Sequence, residues 1–130
     1  MQGDTDHVAS IDPVAGTVKV MFSDAIIASS DNALVLREAG KDAVYYIPFE
    51  DIYFEFLERS DTRRETPPKG VASCWNVSAV GDAASDVMWA YEEPSEAFAR
   101  LRGHGAFSPD KVRIEVFSEP DPEHQVEFPE

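Results

Sequence analysis

Apolar and polar residues alternate along much of the chain, which is the pattern of short, half-buried β-strands. Within residues 17–22, every second residue is apolar, namely Val18, Val20 and Phe22, so these side chains would share one face of a strand. Similar segments follow at short intervals, separated by turn residues such as Ser, Asn, Asp and Gly. The further strands predicted in this part are 25–28, 33–37 and 44–47. The pattern predicts a mainly β fold, built as a compact antiparallel meander.

Residues 49–57 fit two different periodicities. Phe49, Ile52 and Phe56 lie at helical spacing, whereas Ile52, Phe54 and Phe56 lie at strand spacing. Aromatic and β-branched residues prefer the pleated surface of a sheet. The composition of this segment therefore favours a strand.

A β-hairpin is predicted around Gly81-Asp82. Its two strands are 71–79 and 85–91. A three-residue loop that ends at Ala83 would set Trp75 opposite Trp89, whereas a two-residue loop would set Trp75 opposite Met88. A slip of one residue moves every side chain of a strand to the other face, so the loop length decides whether the two tryptophans share a face. We favour the three-residue loop.

One short helix is predicted over residues 95–102. Ser95 can cap its first turn, and Glu96 suits the positive end of the helix dipole. Gly103 would end it. The last strands are predicted at 106–107 and 112–117.

The chain of 130 residues has the length of a single domain. We expect a flexible N-terminal segment at 1–16, one β-rich domain at 17–117 and an extended tail at 118–130. The tail contains prolines among acidic residues and no Lys or Arg, a composition that disfavours a packed core.

The charge of the chain argues against two classes of partner. It holds 25 Asp and Glu against 11 Lys and Arg, for a net charge of −14, and no basic stripe that would attract phosphates. We therefore expect neither nucleic acid nor anionic membranes as partners. A single cysteine, Cys74, and the lack of an apolar export or membrane segment make the cytoplasm the expected location.

Two groups of residues are candidates for a binding site. The first is the turn Pro67-Pro68-Lys69-Gly70, in which prolines restrict the chain and Gly70 allows a close approach to the backbone. The second is the aromatic set Trp75, Trp89 and Tyr91, whose ring faces could hold a planar or cationic ligand. The alternative for both groups is structural, as an ordinary turn and as core packing.

No catalytic set or metal site can be assigned from the sequence. His7, His104 and His124 are far apart, and the one cysteine has no histidine partner. Asp4-Thr5-Asp6 resembles the paired aspartates of nucleotidyl transfer, but no basic residues that could hold a triphosphate lie near it. We expect no cofactor, and the choice between an enzyme and a binding domain stays open.

The order of several short motifs resembles a bacterial family of unknown function, numbered 427. The resemblance is carried by Ile27–Ser30, Tyr45–Pro48, Pro67–Ser73, Trp89–Tyr91 with Pro94, and Ala106-Phe107. Members of that family often carry Cys-Pro-Tyr-Lys-Gly at the central step. This chain has Thr66 and Pro68 at the cysteine and tyrosine positions.

The resemblance implies a mostly antiparallel β domain, akin to the tent-shaped folds of cereblon-type and methionine sulfoxide reductase B-type domains. Those domains hold zinc through cysteine pairs, which this chain lacks. The family has also carried a nucleotidyltransferase-like name. We therefore expect a small-molecule binding domain. Its pocket would be lined by Lys69, Gly70, Trp75, Trp89 and Tyr91. The alternatives are a nucleotidyltransferase-like enzyme and a protein-interaction module that uses its acidic tail or a sheet edge.

Overall fold

The computed structural model describes residues 9–118. The strands are β1 (Ala9–Pro13), β2 (Gly16–Phe22), β3 (Ala25–Ser30), β4 (Leu34–Glu38), β5 (Val44–Pro48), β6 (Leu57–Thr66), β7 (Gly70–Ala79), β8 (Asp82–Tyr91), β9 (His104–Phe107) and β10 (Arg113–Ser118). Short 3₁₀ helices lie at Phe49–Asp51, Phe54–Phe56 and Glu96–Leu101.

The strands form two antiparallel sheets. The large sheet has seven strands in the order β1-β4-β5-β9-β8-β7-β6, and the small sheet has three in the order β10-β2-β3. Strands that follow one another in sequence pair within β2-β3, β4-β5 and β6-β7-β8-β9. The pairs β1-β4, β5-β9 and β10-β2 join strands that are not consecutive in the chain. The predicted mainly β, antiparallel fold is confirmed.

The main core lies between the two sheets. Alternate residues of β2 are buried, as the sequence pattern predicted, and Val18 and Val20 are completely inaccessible to solvent. They belong to one hydrophobic cluster with Trp75, Val77 and Met88 of the large sheet. Burial of these apolar side chains is the main source of stability for such a fold.

A second, smaller cluster covers the opposite face of the large sheet. It contains Leu36, Tyr46 and Tyr91 together with Phe98 and Leu101 of the 3₁₀ helix Glu96–Leu101. The large sheet is therefore buried on both faces, and the candidate site described below lies on this second face.

The prediction of a strand over residues 49–57 is wrong. Two 3₁₀ helices occupy this region, and β6 begins only at Leu57. The rings of Phe49 and Phe54 pack edge to face at 5.4 Å, and both lie against Trp75 at 6.2 Å and 6.3 Å. The aromatic residues thus gather on one tryptophan instead of alternating between two faces.

The hairpin between β7 and β8 forms, but its predicted three-residue loop is wrong. Ala79 pairs with Asp82, so the loop is Val80-Gly81, with positive φ at both residues, as a type I′ turn requires. A bulge then shifts the register, and Trp75 lies opposite Met88 instead of Trp89. The two tryptophans therefore occupy opposite faces of the sheet.

Polar side chains hold the bulged region together. Asp86 has a φ of 52°, and its carboxylate accepts hydrogen bonds from the hydroxyls of Ser60 at 2.7 Å and Thr62 at 3.0 Å. Its backbone N–H donates to the side chain of Asn76 at 2.9 Å. These bonds satisfy polar groups at a place where the ladder of backbone bonds is interrupted.

The predicted short helix is confirmed as a 3₁₀ helix at Glu96–Leu101. Among the described residues, the Ser95 side chain forms no capping hydrogen bond with this helix. Sequence reasoning did not predict β1, which lies within segment 1–16, nor β6. Residues 1–8 and 119–130, with Asp4-Thr5-Asp6, His7 and His124, lie outside the described residues.

Candidate functional site

A cavity of about 220 Å³ lies over the second face of the large sheet. We call it the inner cavity. Its aliphatic and small polar lining consists of Leu36, Val44, Thr66 and Ala72. Its aromatic and charged lining consists of Glu38, Tyr46, Arg64, Lys69, Trp89 and Tyr91.

The register of the strands explains why a cavity forms here. Across three neighbouring strands, Tyr91 pairs with Ala72 and Ala72 pairs with Arg64. Neighbouring strands lie about 4.8 Å apart, so the two large side chains are separated by roughly 10 Å with only a methyl group between them. The small residue leaves open space between the two larger ones.

A second row of the same kind runs through β5, β9 and β8. Tyr46 pairs with Ala106, and Ala106 pairs with Trp89. Over this alanine, the indole Nε1 of Trp89 donates a hydrogen bond of 3.4 Å to the Tyr46 hydroxyl. Each row therefore places an alanine between two large polar-tipped residues.

Tyr46 is almost completely buried, with 1% of its surface exposed. Burial raises the pKa of its hydroxyl well above the ordinary value, and the hydrogen bond from Trp89 opposes this shift only in part. The phenol is therefore protonated at neutral pH and can act as a hydrogen-bond donor. Trp89 is only half-buried, so one part of its ring system is open to the cavity.

Lys69 occupies the turn between β6 and β7 and is buried, with 5% exposed. Its ammonium group contacts both carboxylate oxygens of Glu38 at 3.1 Å and lies 5.3 Å from the centre of the Phe98 ring. Its backbone N–H donates to Thr66, and its carbonyl accepts from Ser95. Backbone hydrogen bonds with Thr66 and Ser95 and the ion pair with Glu38 thus hold the turn in place. Glu38 also neutralises the charge of the lysine.

Arg64 enters the cavity from the edge strand β6. Its side chain is exposed, and it forms no ion pair with any residue between 9 and 118. Burial raises the pKa of the nearby Tyr91 hydroxyl, while a hydrogen bond with Thr66 and the positive charge of Arg64 act in the opposite direction. Arg64 is therefore close enough to influence this side of the cavity electrostatically.

The structure brings together three of the five residues that the sequence indicated. Lys69, Trp89 and Tyr91 line the inner cavity. Gly70 does not line it; this residue has a φ of 132°, and a Cβ there would lie 3.3 Å from the Glu93 carbonyl oxygen. Because Gly70 has no side chain, the turn can pack against the neighbouring backbone. The role of Gly70 is therefore structural.

Trp75 also lies away from the cavity. It belongs to the main core on the other face of the sheet, where 7% of its surface is exposed. The guanidinium of Arg59 lies over its ring at 5.3 Å and forms a salt bridge with Glu92. Trp75 therefore fits the core-packing alternative and does not line the pocket at which we expected it.

Sequence reasoning missed Glu38, Tyr46 and Arg64. Tyr46 stands in one of the motifs that carry the family resemblance, and Glu38 continues the alternation of Leu34 and Leu36 along β4. Both could have been found from these signals. Arg64 gave no such signal, because the strand that carries it is rich in polar residues and was not predicted.

A larger cavity of about 700 Å³, which we call the outer cavity, lies next to the inner one. Glu38 lines both, and the Phe98 ring that contacts Lys69 lines the outer one. The ion pair between Lys69 and Glu38 and the Phe98 ring therefore lie between the two cavities.

Other candidate chemistry is weaker in the described part of the chain. Residues 9–118 contain no group of three or more His, Cys, Asp or Glu side chains placed to hold a metal ion. Cys74 is buried, and burial raises the pKa of its thiol, so it is a poor nucleophile at neutral pH. Within the same residues, no helix has the length and apolar character needed to cross a bilayer.

The fold and the cavity define a mainly antiparallel β domain with one aromatic and charged cavity beneath a proline-containing turn. The model of the family described as "Domain of unknown function (DUF427)" matches residues 10–118, and the chain belongs to this family. A comparison with curated proteins finds no match.

Proposed function

We propose that this chain is a small-molecule binding domain and that its ligand occupies the inner cavity. The observation that carries the proposal is the convergence of Lys69, Trp89 and Tyr91, which are distant in sequence, with Tyr46 around one space. A cavity with aromatic walls and a few convergent polar groups is the usual form of a ligand site.

The size of the cavity limits the ligand. Its volume of about 220 Å³ would hold roughly seven water molecules at about 30 Å³ each. Pockets for drug-sized ligands are typically about 300–1,000 Å³. A compact metabolite or a single ring system fits this space better than a nucleotide.

The walls favour a planar ligand with polar substituents. Trp89 and Tyr91 offer ring faces for stacking, and Leu36 and Val44 add apolar surface. The polar groups are arranged for binding more than for proton transfer, because Glu38 already engages Lys69 and burial keeps the Tyr46 phenol protonated.

A thermal-shift screen of small metabolites and ring-containing fragments tests the proposal, with Trp89→Ala and Val71→Ala examined beside the wild type. Val71 is exposed on the strand next to the cavity residue Ala72, so its variant is a matched control. We expect stabilising compounds to lose their effect on Trp89→Ala and to keep it on Val71→Ala. Equal shifts in all three proteins would contradict the proposal, and turnover of a nucleoside triphosphate would favour the enzyme alternative.

A further inference from the structure

The inner cavity carries an excess of positive charge, although the chain as a whole is strongly acidic. Its charged lining residues are Glu38, Arg64 and Lys69. Lys69 and Glu38 neutralise each other through contacts of 3.1 Å. Arg64 has no carboxylate partner among residues 9–118, so its charge is available to a ligand.

A buried hydrogen-bond donor lies in the same cavity. The Tyr46 hydroxyl accepts from the Trp89 indole, which can only donate. Within the described residues it donates to no acceptor, although 99% of the residue's surface is buried. The hydroxyl proton is therefore available to a ligand oxygen in the cavity.

We propose that the inner cavity selects a small planar molecule that bears a carboxylate, with Arg64 and the Tyr46 hydroxyl as its anion-binding groups. The inference rests on the proposed function, since it names the chemical class of that ligand. The guanidinium provides paired N–H donors that match a carboxylate, and the ring of the ligand packs against Trp89 and Tyr91.

The net charge of the cavity lining favours a carboxylate ligand over a cationic ligand and over a phosphate monoester. A cationic ligand would meet aromatic faces, but it would be repelled by the charge of Arg64, which forms no salt bridge within residues 9–118. A phosphate monoester carries about −1.5 to −2 charges at pH 7, which exceeds the single uncompensated positive charge of the lining. A carboxylate, with one negative charge, matches it.

Three probes of nearly the same shape test this choice: benzoate, benzamide and benzamidinium, which are anionic, neutral and cationic. Binding is followed by the indole N–H resonances of the two tryptophans in a two-dimensional NMR titration. Trp89 lines the cavity, and Trp75 lies on the opposite face of the sheet, so Trp75 is an internal reference. Phenyl phosphate is titrated as a fourth probe.

The variants Arg64→Gln and Arg63→Gln provide a matched pair. The two arginines are adjacent on β6, and their side chains point to opposite faces, so both changes remove one charge while only one alters the cavity. We expect Arg64→Gln to weaken benzoate binding about tenfold or more and Arg63→Gln to leave it within about twofold. Tyr46→Phe should also weaken benzoate more than benzamide.

The outcomes distinguish this inference from the function on which it rests. Benzoate that shifts Trp89 alone and binds more tightly than the other probes supports the inference. Tighter binding of benzamide, benzamidinium or phenyl phosphate overturns the inference. Equal weakening of benzoate binding by the two arginine variants also overturns it. Both results leave the proposed function, a ligand-binding cavity, in place. If neither these probes nor the fragment library shifts Trp89, the proposed function fails and the inference fails with it.

Discussion

The indole of Trp89 reaches over Ala106 to donate a hydrogen bond of 3.4 Å to the hydroxyl of Tyr46. The small side chain of the intervening strand makes this contact possible. The parallel row of Tyr91, Ala72 and Arg64 repeats the arrangement, and together the two rows shape the inner cavity.

Filling one of these alanine positions should close the cavity. Ala72 is buried, with 1% exposed, and lines the inner cavity between two larger residues. We expect Ala72→Val to abolish the binding of cavity ligands and to change the free energy of unfolding by less than about 2 kcal/mol, since the added methyl groups enter open space. Ligand titration and urea unfolding measure the two effects.

Val71→Ile is the control for that change. Val71 precedes Ala72 on β7, points to the other face and is 47% exposed. The substitution Val71→Ile adds one methyl group at a site that the cavity does not reach. Loss of binding in this variant as well would show that the strand, and not the cavity volume, controls the result.

The two tryptophans should differ in their contribution to stability. Trp75 is packed in the main core against Phe49 and Phe54, so Trp75→Ala should lower the free energy of unfolding by about 3–5 kcal/mol. Trp89 is half-buried beside the cavity, and Trp89→Ala should cost less. Denaturant unfolding of both variants checks the order, and a larger loss for Trp89 would contradict the assignment.

Removing one partner of the buried ion pair should destabilise the fold. Lys69→Met leaves the Glu38 carboxylate without its contacts of 3.1 Å, and we expect a loss of about 2 kcal/mol or more. The double variant Lys69→Met with Glu38→Gln should recover part of this loss, because no unpaired charge remains. Additive losses in the two single variants and the double variant would exclude a coupled pair.

Acid should remove the stabilisation that Glu92 provides. Hydrogen bonds from Arg59 hold the pKa of Glu92 below its ordinary value, with a further bond from Ser73. A carboxyl whose pKa is lower in the folded state stabilises the protein above its unfolded pKa, about 4.3, and loses this contribution as the pH falls through the folded value.

The variant Glu92→Gln tests this dependence against Glu93→Gln, at the next residue, which is exposed. We expect the melting temperature of Glu92→Gln to lie below that of the wild type at pH 7 and the difference to shrink below about pH 4. Glu93→Gln should follow the wild type throughout. A difference for Glu92→Gln that stays constant down to low pH would show that the carboxylate charge is not responsible.

The sequence predicted the fold class because the alternation in β2 and in the hairpin strands has the period of a half-buried sheet. It failed where side chains interact across strands. The register changes at the bulge between Trp75 and Val77. There, Asp86 accepts hydrogen bonds from Ser60 and Thr62, which are far away in sequence, and local alternation contains no sign of them.

The candidate site was predicted only in part for a related physical reason. Unusual residue types marked Lys69, Trp89 and Tyr91, but they also marked Trp75, which the register places on the other face. Arg64 is one of several charged residues on an edge strand. Only its position beside Ala72 distinguishes it, and that position follows from strand pairing.

The location of a bound ligand tests the central claim most directly. Intermolecular nuclear Overhauser effects should be measured between the tightest compound from the screen and the side-chain protons of the protein. The account predicts contacts with the indole of Trp89, the ring of Tyr91 and the methyl group of Ala72, and none with Trp75. Contacts with Trp75, or with surface residues away from Trp89 and Tyr91, would contradict it.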